Sequence, residues 1–175
     1  MKLRSTIFFF LFLTFSAFAQ VDVDDGSNWQ DRIYKGLGGG FSAGSNSIGK
    51  FVSISLNPVV GYMLASNASV GLTATYQNVS YSDIGLHYVV YGLNPFVRYN
   101  FNSLFAMGQF SYLNVPTTIN SSERVFRERL LFGLGYAIPT GNGRGRINTV
   151  AMYDVLYKTN NGFASPWVFN VFFSF

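Results

Sequence analysis

The sequence predicts an all-β protein, an eight-stranded antiparallel up-and-down transmembrane β-barrel. Three observations lead to this fold class. Short segments of alternating apolar and polar residues recur between turn signals along the chain. Hydrophobic residues make up 49% of the chain and aromatic residues 18%, whereas charged residues make up only 11%, about half the fraction usual in soluble domains. The last segment, Trp167–Phe175, has an apolar side chain at every second position.

The start of the chain has the features of a cleavable secretory signal. Lys2 and Arg4 precede a short apolar run, and the small residues Ala17 and Ala19 mark a cleavage site before Gln20. The run is shorter than the ~20 residues that a membrane-spanning helix needs. We therefore expect residues 1–19 to be a signal peptide, residues 20–32 a short periplasmic tail, and residues 33–175 the barrel, located in the outer membrane of a bacterial cell.

Composition excludes several classes of function. The chain has no cysteine, so disulfides, thiolate metal sites and cysteine nucleophiles are excluded. The formal net charge of +4 includes Lys2 and Arg4, which leave with the signal, and no basic run is present, so nucleic-acid binding is not expected. With a single histidine and no cysteine, we expect neither a transition-metal site nor a cofactor.

Eight segments with a period of two are predicted as strands. They are Tyr34–Ala43, Phe51–Leu64, Val70–Gln77, Tyr88–Tyr99, Leu104–Tyr112, Arg127–Ile138, Arg146–Tyr157 and Trp167–Phe175. The turns at residues 66–67, 100–103 and 140–145 are expected to face the periplasm, and the connections at residues 44–50, 81–87, 114–123 and 158–165 are expected to face outward. The segment Leu56–Tyr62 recurs as Leu93–Tyr99, and the proline in both copies predicts a bulge or bend.

Alternation alone fits a soluble barrel with an apolar interior as well as a membrane barrel with an apolar exterior. An eight-stranded barrel has an interior just wide enough for side chains to fill. One face of the strands carries Phe, Tyr, Leu and Trp, whereas the other is mainly Gly, Ser, Thr and Asn. The small residues are therefore predicted to line the lumen, and the bulky ones to contact lipid. Aromatic side chains near the strand ends are expected to form two belts, Tyr62, Tyr99 and Tyr136 on the periplasmic side and Tyr76, Tyr91, Tyr112, Tyr157 and Trp167 on the outer side.

Four charged residues fall on the predicted lumen face: Arg98, Arg127, Arg129 and Asp154. Buried charges are costly unless they are paired. We interpret the four as a structural cluster that bridges strands across a filled lumen, and a proton or ion pathway along the same residues is the alternative. A filled lumen argues against a general porin.

His87 is the one histidine of the chain, and Ser80, Ser82 and Asp83 lie near it in sequence. A hydroxyl, an imidazole and a carboxylate together are the groups of a hydrolytic site. Because such a set also arises by chance in a polar loop, we interpret His87 as a solvated loop histidine. No catalytic residue is predicted, and the chain is not expected to be an enzyme.

Several motifs carry a resemblance to a known family: Asn57–Tyr62 (NPVVGY), Gly133–Tyr136 (GLGY), Tyr153–Tyr157 (YDVLY) and Ser165–Trp167 (SPW). With these motifs the chain resembles the small outer-membrane β-barrel proteins of Bacteroidetes-type bacteria. The last strand, with Trp167, Phe169, Val171, Phe173 and Phe175 on one face, also resembles the C-terminal signal by which bacterial outer-membrane proteins are recognised for assembly. The resemblance implies a location and a fold, with outer-membrane lipid and the barrel-assembly machinery as partners, and it implies no activity.

These observations lead to three hypotheses about function. The first is a non-enzymatic outer-membrane barrel that is structural, serves the cell envelope, or is the membrane-embedded partner of another envelope complex. The second, from another class, is a lipid-modifying enzyme centred on His87. The third is a narrow conduit for a small solute, with Arg98 and Asp154 in its lumen.

Overall fold

The predicted fold class is confirmed, because the chain forms a closed barrel of eight antiparallel strands in sequence order. The computed structural model describes residues 29–46, 49–117, 123–140, 145–158, 163 and 165–175. A short 3-10 helix, Trp29–Arg32, leads into the first strand. The strands are β1 (Ile33–Asn46), β2 (Gly49–Met63), β3 (Ala68–Tyr81), β4 (Leu86–Phe101), β5 (Leu104–Pro116), β6 (Arg124–Pro139), β7 (Arg146–Asp154) and β8 (Trp167–Ser174). Among the described residues, no helix is long and apolar enough to cross a membrane.

The barrel has two different ends. We call the end with the β2–β3, β4–β5 and β6–β7 connections the turn end, and the opposite end the loop end. At the turn end, β4 and β5 are joined by a short turn in which Asn102 has a φ of 58°. Asparagine is one of the residue types that adopt this left-handed conformation most readily. The predicted signal peptide and the first part of the predicted tail lie outside the described residues.

Most strands extend further toward the loop end than predicted, whereas β7 is shorter. Its predicted end at Tyr157 is wrong, because the strand stops at Asp154. The Asp154 side chain accepts a hydrogen bond from the backbone N–H of Leu156 at 3.0 Å, and the Asp154 carbonyl accepts one from the N–H of Tyr157 at 3.3 Å. These two bonds turn the chain away from the ladder. The barrel wall is therefore low at β7 and β8, with nine and eight residues, and high at β1–β6, with 13 to 16.

The two Asn-Pro repeats interrupt the ladder without shifting it. β2 pairs with β3 at Leu56–Tyr76 and again at Val59–Thr73, and the register is the same on both sides of the gap. The prediction of a bulge is therefore wrong, since a bulge would offset the register by one residue. In the second repeat the gap lies between β4 and β5, and the Asn94 amide bonds the opposite neighbour β3, donating to the Thr73 carbonyl at 3.0 Å and to the Thr75 hydroxyl at 2.8 Å.

The lumen of the turn half is filled by large side chains, although the sequence pattern predicted most large side chains on the outside. The buried cluster is Val59, Phe96, Phe105, Met107, Leu131, Ala137, Val150, Met152 and Phe172. Space for it comes from glycines that are the registered neighbours of large residues on the adjacent strand. Such pairs are Gly61 with Tyr34, Gly71 with Phe96, Gly133 with Met152 and Gly135 with Phe105. A Cβ on Gly135 would lie 2.2 Å from the Phe105 ring, so the glycine is what lets the ring enter the lumen.

Outward-facing side chains are apolar through the middle of most strands, and Thr149 of β7 is a polar exception. In β4 the outward residues run from Tyr91 through Leu93, Pro95 and Val97 to Tyr99, all of them exposed. On β8 the exposed residues are Trp167, Phe169, Val171, Phe173 and Phe175. Tyr76 and Tyr91 are registered neighbours toward the loop end, whereas Tyr99 and Tyr136 lie near the turn end. The exterior thus has an apolar band bordered by tyrosines.

Candidate functional site

The loop half of the lumen contains a cavity of about 140 Å³ whose wall is about half polar and half apolar. Hydroxyls and amides make up most of the polar half, and hydrogen bonds join some of them in pairs. The Gln77 amide donates to the Ser53 hydroxyl at 2.5 Å, and the Gln109 amide donates to the Ser111 hydroxyl at 3.0 Å. The polar members of the wall are Ser53, Ser55, Asn57, Thr75, Gln77, Asn94, Gln109, Ser111, Arg129, Ser165 and Asn170.

Arg129 and Asp154 form a buried ion pair at the edge of this cavity. The Arg129 Nε lies 2.8 Å from an Asp154 carboxylate oxygen, and the two side chains are 10% and 1% exposed. The second carboxylate oxygen accepts bonds from the backbone N–H groups of Leu130 at 3.3 Å and Leu156 at 3.0 Å. Asp154 therefore holds the top of β7 against β6 and neutralises the guanidinium that faces the lumen.

The segment that precedes β8 folds over the same guanidinium. An Nη of Arg129 donates to the Ser165 carbonyl at 3.0 Å, and the guanidinium carbon lies 4.3 Å from the centre of the Phe163 ring. Phe163 also packs against the buried residues Val90, Leu113 and Val115. Sequence reasoning placed both Phe163 and Ser165 in an outward loop, and no periodic signal was available there to show that they enter the lumen.

The structure divides the predicted four-residue cluster. Arg129 and Asp154 pair, and Arg127 faces the lumen two residues nearer the loop end, where its buried Nε has no hydrogen-bond partner among the described residues. Arg98 lies at a different level, because it is registered with Met107 on β5 whereas Arg129 is registered with Ser111. Four residues of strand correspond to roughly 13 Å. Arg98 is therefore not part of the ion pair.

Arg98 instead belongs to the plug of the turn half. Its Nε donates to the Asn100 side-chain oxygen at 2.7 Å, and its guanidinium carbon lies 3.8 Å from the centre of the Phe105 ring. A cation over an aromatic face is stabilised by about 0.5–2 kcal/mol. The ring of Phe105 is completely buried. A small void of about 20 Å³ lies next to the cavity on the side of this layer, lined by the plug residues Phe96, Met107 and Met152 among others.

His87 lies on the exterior, at the loop end of β4, and its side chain is exposed. Its registered neighbour on β3 is Ser80. Asp83 is directed elsewhere, because its carboxylate accepts a hydrogen bond from the backbone N–H of Lys50 at 2.9 Å. Among the described residues, no hydrogen bond links His87 to Ser80, Ser82 or Asp83, and no group of His, Asp and Glu side chains is suited to hold a metal ion.

Arg124, which the sequence pattern does not single out, connects three strands at the loop end. Arg124 points outward from β6, donates to the Val89 carbonyl of β4 at 2.6 Å, and hydrogen-bonds the side chain of Asn114. Its guanidinium also lies 4.8 Å from the centre of the Tyr91 ring. Registered pairing between β4 and β5 ends at Tyr91 and Asn114, so Arg124 joins the strands where the ladder stops.

Comparison with known proteins gives a fold-level likeness. No family model matches the chain, and no curated protein matches it. Among solved structures, the N-terminal β-barrel domain of Pseudomonas aeruginosa OprF is similar with a TM-score of 0.48 and 14% sequence identity, and the match covers 82% of this chain and 96% of that one. Membership of the Bacteroidetes-type family stays a prediction.

Proposed function

We propose that this chain is an integral outer-membrane β-barrel with its turn end in the periplasm and its loop end outside. The apolar band on the exterior carries the proposal. On β4, nine residues separate the outer edge at Tyr91 from the inner edge at Tyr99, counting both, which is the length that a tilted transmembrane strand needs, about 9–11 residues. In water the same band would be an apolar surface far larger than the few hundred Å² that soluble monomers expose.

The interior supports a non-enzymatic role within that location. The turn half of the lumen is packed with large side chains, the ion pair of the loop half is neutralised, and the exposed His87 lacks the partners that would make it a general base. We propose that the protein acts as a structural element of the cell envelope or as the membrane-embedded partner of another envelope complex. Neither the lipid-modifying enzyme nor the narrow conduit has a comparable group of residues in its favour.

Leu72 provides the test of membrane insertion. Leu72 points outward from β3, is 43% exposed, and is registered with Pro95, which lies midway between Tyr91 and Tyr99. In lipid, Leu72→Arg places a charge near the midplane of the bilayer, and we expect the free energy of folding into vesicles to fall by about 2–4 kcal/mol. In a soluble barrel, a change at an exposed position would alter stability by only about 0.5 kcal/mol.

Asn78→Arg is the matched control. Asn78 lies on the same strand and face, two residues beyond Tyr76 toward the loop end, and its side chain is exposed. At this depth an arginine reaches water, so we expect a loss of at most about 1 kcal/mol. The measurement is a urea titration of both variants in phospholipid vesicles. Equal, small effects of the two substitutions would refute the membrane location.

A further inference from the structure

The ladder that closes the barrel between β1 and β8 is short. Registered pairs join these strands from Gly36–Ser174 to Gly39–Val171, and backbone hydrogen bonds between Lys35 and Phe175 extend the contact by one residue at the turn end. Both strands continue beyond the last pair, β1 to Asn46 and β8 back to Trp167. The same register would place Phe41 opposite Phe169, but no pair forms there. β8 stays paired to β7 up to Trp167, and β1 stays paired to β2 up to Asn46, so the two strands diverge toward the loop end.

At this gap a backbone N–H of β8 that points toward β1 forms a hydrogen bond within its own segment instead. Lys35 and Phe175 exchange both of their backbone hydrogen bonds, at 3.0 and 2.9 Å, so every second residue from Phe175, including Trp167, directs its N–H toward β1. The Trp167 N–H instead donates to the Ser165 hydroxyl at 3.0 Å. In hydrocarbon, unpaired backbone is tolerated only where it is buried in protein or lines a water-filled cavity. The backbone at the gap borders the cavity of the lumen, whose lining includes Gly40 and Asn170.

The cavity reaches the outside wall through this gap. Its lining includes Gly40 and Phe41 of β1 and Trp167, Phe169 and Asn170 of β8, as well as the polar lumen residues. Phe41 and Phe169 are lipid-side residues, 68% and 63% exposed. Because these two outward-facing residues also line the cavity, the cavity extends from the lumen into the gap between β1 and β8. The packed layer around Phe105 closes it below, and Phe163 lies over Arg129 near its top.

From this geometry we propose that the cavity is a binding site for a single-chain carboxylate amphiphile, a long-chain fatty acid, which enters sideways from the outer leaflet. The carboxylate lies among the hydroxyls and amides of the cavity, and the alkyl chain leaves between Phe41 and Phe169. The charge near the site favours an anion, because Arg129 lines the cavity and Arg127 faces the lumen two residues nearer the loop end, whereas Asp154 is the acidic residue that pairs with Arg129. The volume of about 140 Å³ has room for a carboxylate with its first methylenes. The proposal requires the membrane location proposed above.

A reversible closure of the gap tests the proposal. The chain has no cysteine, so an introduced pair is unique. The register of β1 and β8 would place Gly40 opposite Asn170, and an ideal Cβ on Gly40 would lie 3.0 Å from the side-chain oxygen of Asn170, so Gly40→Cys/Asn170→Cys puts two thiols across the start of the gap. We expect the unmodified barrel in detergent to bind one fluorescent C16 fatty acid, displaceable by palmitate. The oxidised variant should bind at least tenfold more weakly, and reduction should restore binding.

Two controls isolate the route and the headgroup. Val59→Cys/Thr73→Cys joins registered neighbours outside the lining of the large cavity, so its oxidised form should bind like the unmodified barrel. Hexadecanol, which has the chain without the charge, should compete at least tenfold less well than palmitate. Circular dichroism verifies that each variant is folded. If the paired variant does not fold, Phe169→Ala replaces it, because widening the mouth should raise the association rate at least threefold.

Each alternative result overturns a stated part of the proposal. Absence of saturable one-to-one binding by the unmodified barrel removes the site. Binding that survives oxidation of the Gly40–Asn170 pair, or an association rate unchanged by Phe169→Ala, removes the lateral route. Equal competition by hexadecanol removes the assignment of a carboxylate. A barrel that passes the Leu72 test but does not bind the fatty acid refutes only the binding site, whereas failure of the Leu72 test refutes the membrane location itself.

Discussion

Removing the carboxylate of Asp154 is expected to destabilise the barrel strongly, because this group neutralises a buried guanidinium and ends a strand at the same time. Asp154 accepts three hydrogen bonds, from Arg129 Nε and from the backbone N–H groups of Leu130 and Leu156, and its side chain is 1% exposed. Asp154→Ala leaves the guanidinium buried without its counter-charge. Breaking a buried pair by removing one partner costs about 3–5 kcal/mol. We expect a loss of that size in the free energy of unfolding.

Two companion variants separate the charge from the hydrogen bonds. Asp154→Asn keeps an oxygen for the N–H groups of Leu130 and Leu156 but loses the charge, so we expect an intermediate loss of about 1.5–3 kcal/mol, the range of a charge-assisted hydrogen bond. Arg129→Met/Asp154→Leu removes both charges together. Because replacing a buried pair by apolar residues is often neutral or stabilising, the double variant should be more stable than Asp154→Ala.

The assay is equilibrium urea unfolding in phospholipid vesicles, followed by the fluorescence of the two tryptophans, with Asp83→Ala as the control of the same residue type. Asp83 is exposed and accepts one bond, from the Lys50 N–H, so its removal should cost at most about 1 kcal/mol. A loss below about 1 kcal/mol for Asp154→Ala, or a double variant as unstable as the sum of its single substitutions, would show that the pair does not hold β6 and β7 together.

The remaining predictions concern the plug and the exterior histidine. Gly135→Ala should destabilise the barrel by about 1–3 kcal/mol, because its Cβ would lie 2.2 Å from the Phe105 ring and 2.5 Å from the Thr149 carbonyl oxygen. Gly108→Ala, whose Cβ would first meet the exposed Phe132 ring at 3.2 Å, should cost less in the same urea titration, and the reverse order would contradict the packing. His87→Ala should leave the lipid profile of the producing cells unchanged by mass spectrometry, since a changed profile would mean that His87 has a catalytic role.

The exterior of this barrel could be predicted from sequence, because every second residue of a strand faces outward and most of these residues are apolar. The five apolar positions of β8 and the Tyr91–Tyr99 series of β4 required no knowledge of the register. The lumen could not be predicted in the same way. Arg98 and Arg129 share the inner face, but only the pairing of β4, β5 and β6 shows that they lie four residues apart. Likewise, Phe105 fits inside because its registered neighbour happens to be Gly135.

The ends of the strands were the least predictable part, because side chains rather than alternation determine them. Asp154 ends β7 by bonding the N–H of Leu156, although Tyr153–Tyr157 continues the apolar period. The same carboxylate attracts Arg129, and Arg129 in turn holds the Ser165 carbonyl. The sequence contains no motif that links these three residues. They come together only in the folded barrel, where β7 and β8 are short.

The ion pair and the gap between β1 and β8 are structurally connected. Ser165 connects them, because its carbonyl accepts from Arg129 while its hydroxyl accepts from the Trp167 N–H that would otherwise pair with β1. Asp154 fixes Arg129, Arg129 fixes Ser165, and Ser165 keeps the start of β8 on the β7 side of the gap. The gap therefore does not remain open merely because β8 is short, since the residues of β8 that do not pair with β1 are present and bonded to β7. A barrel built only for rigidity would gain hydrogen bonds by closing there, whereas a barrel that admits an amphiphile requires the gap.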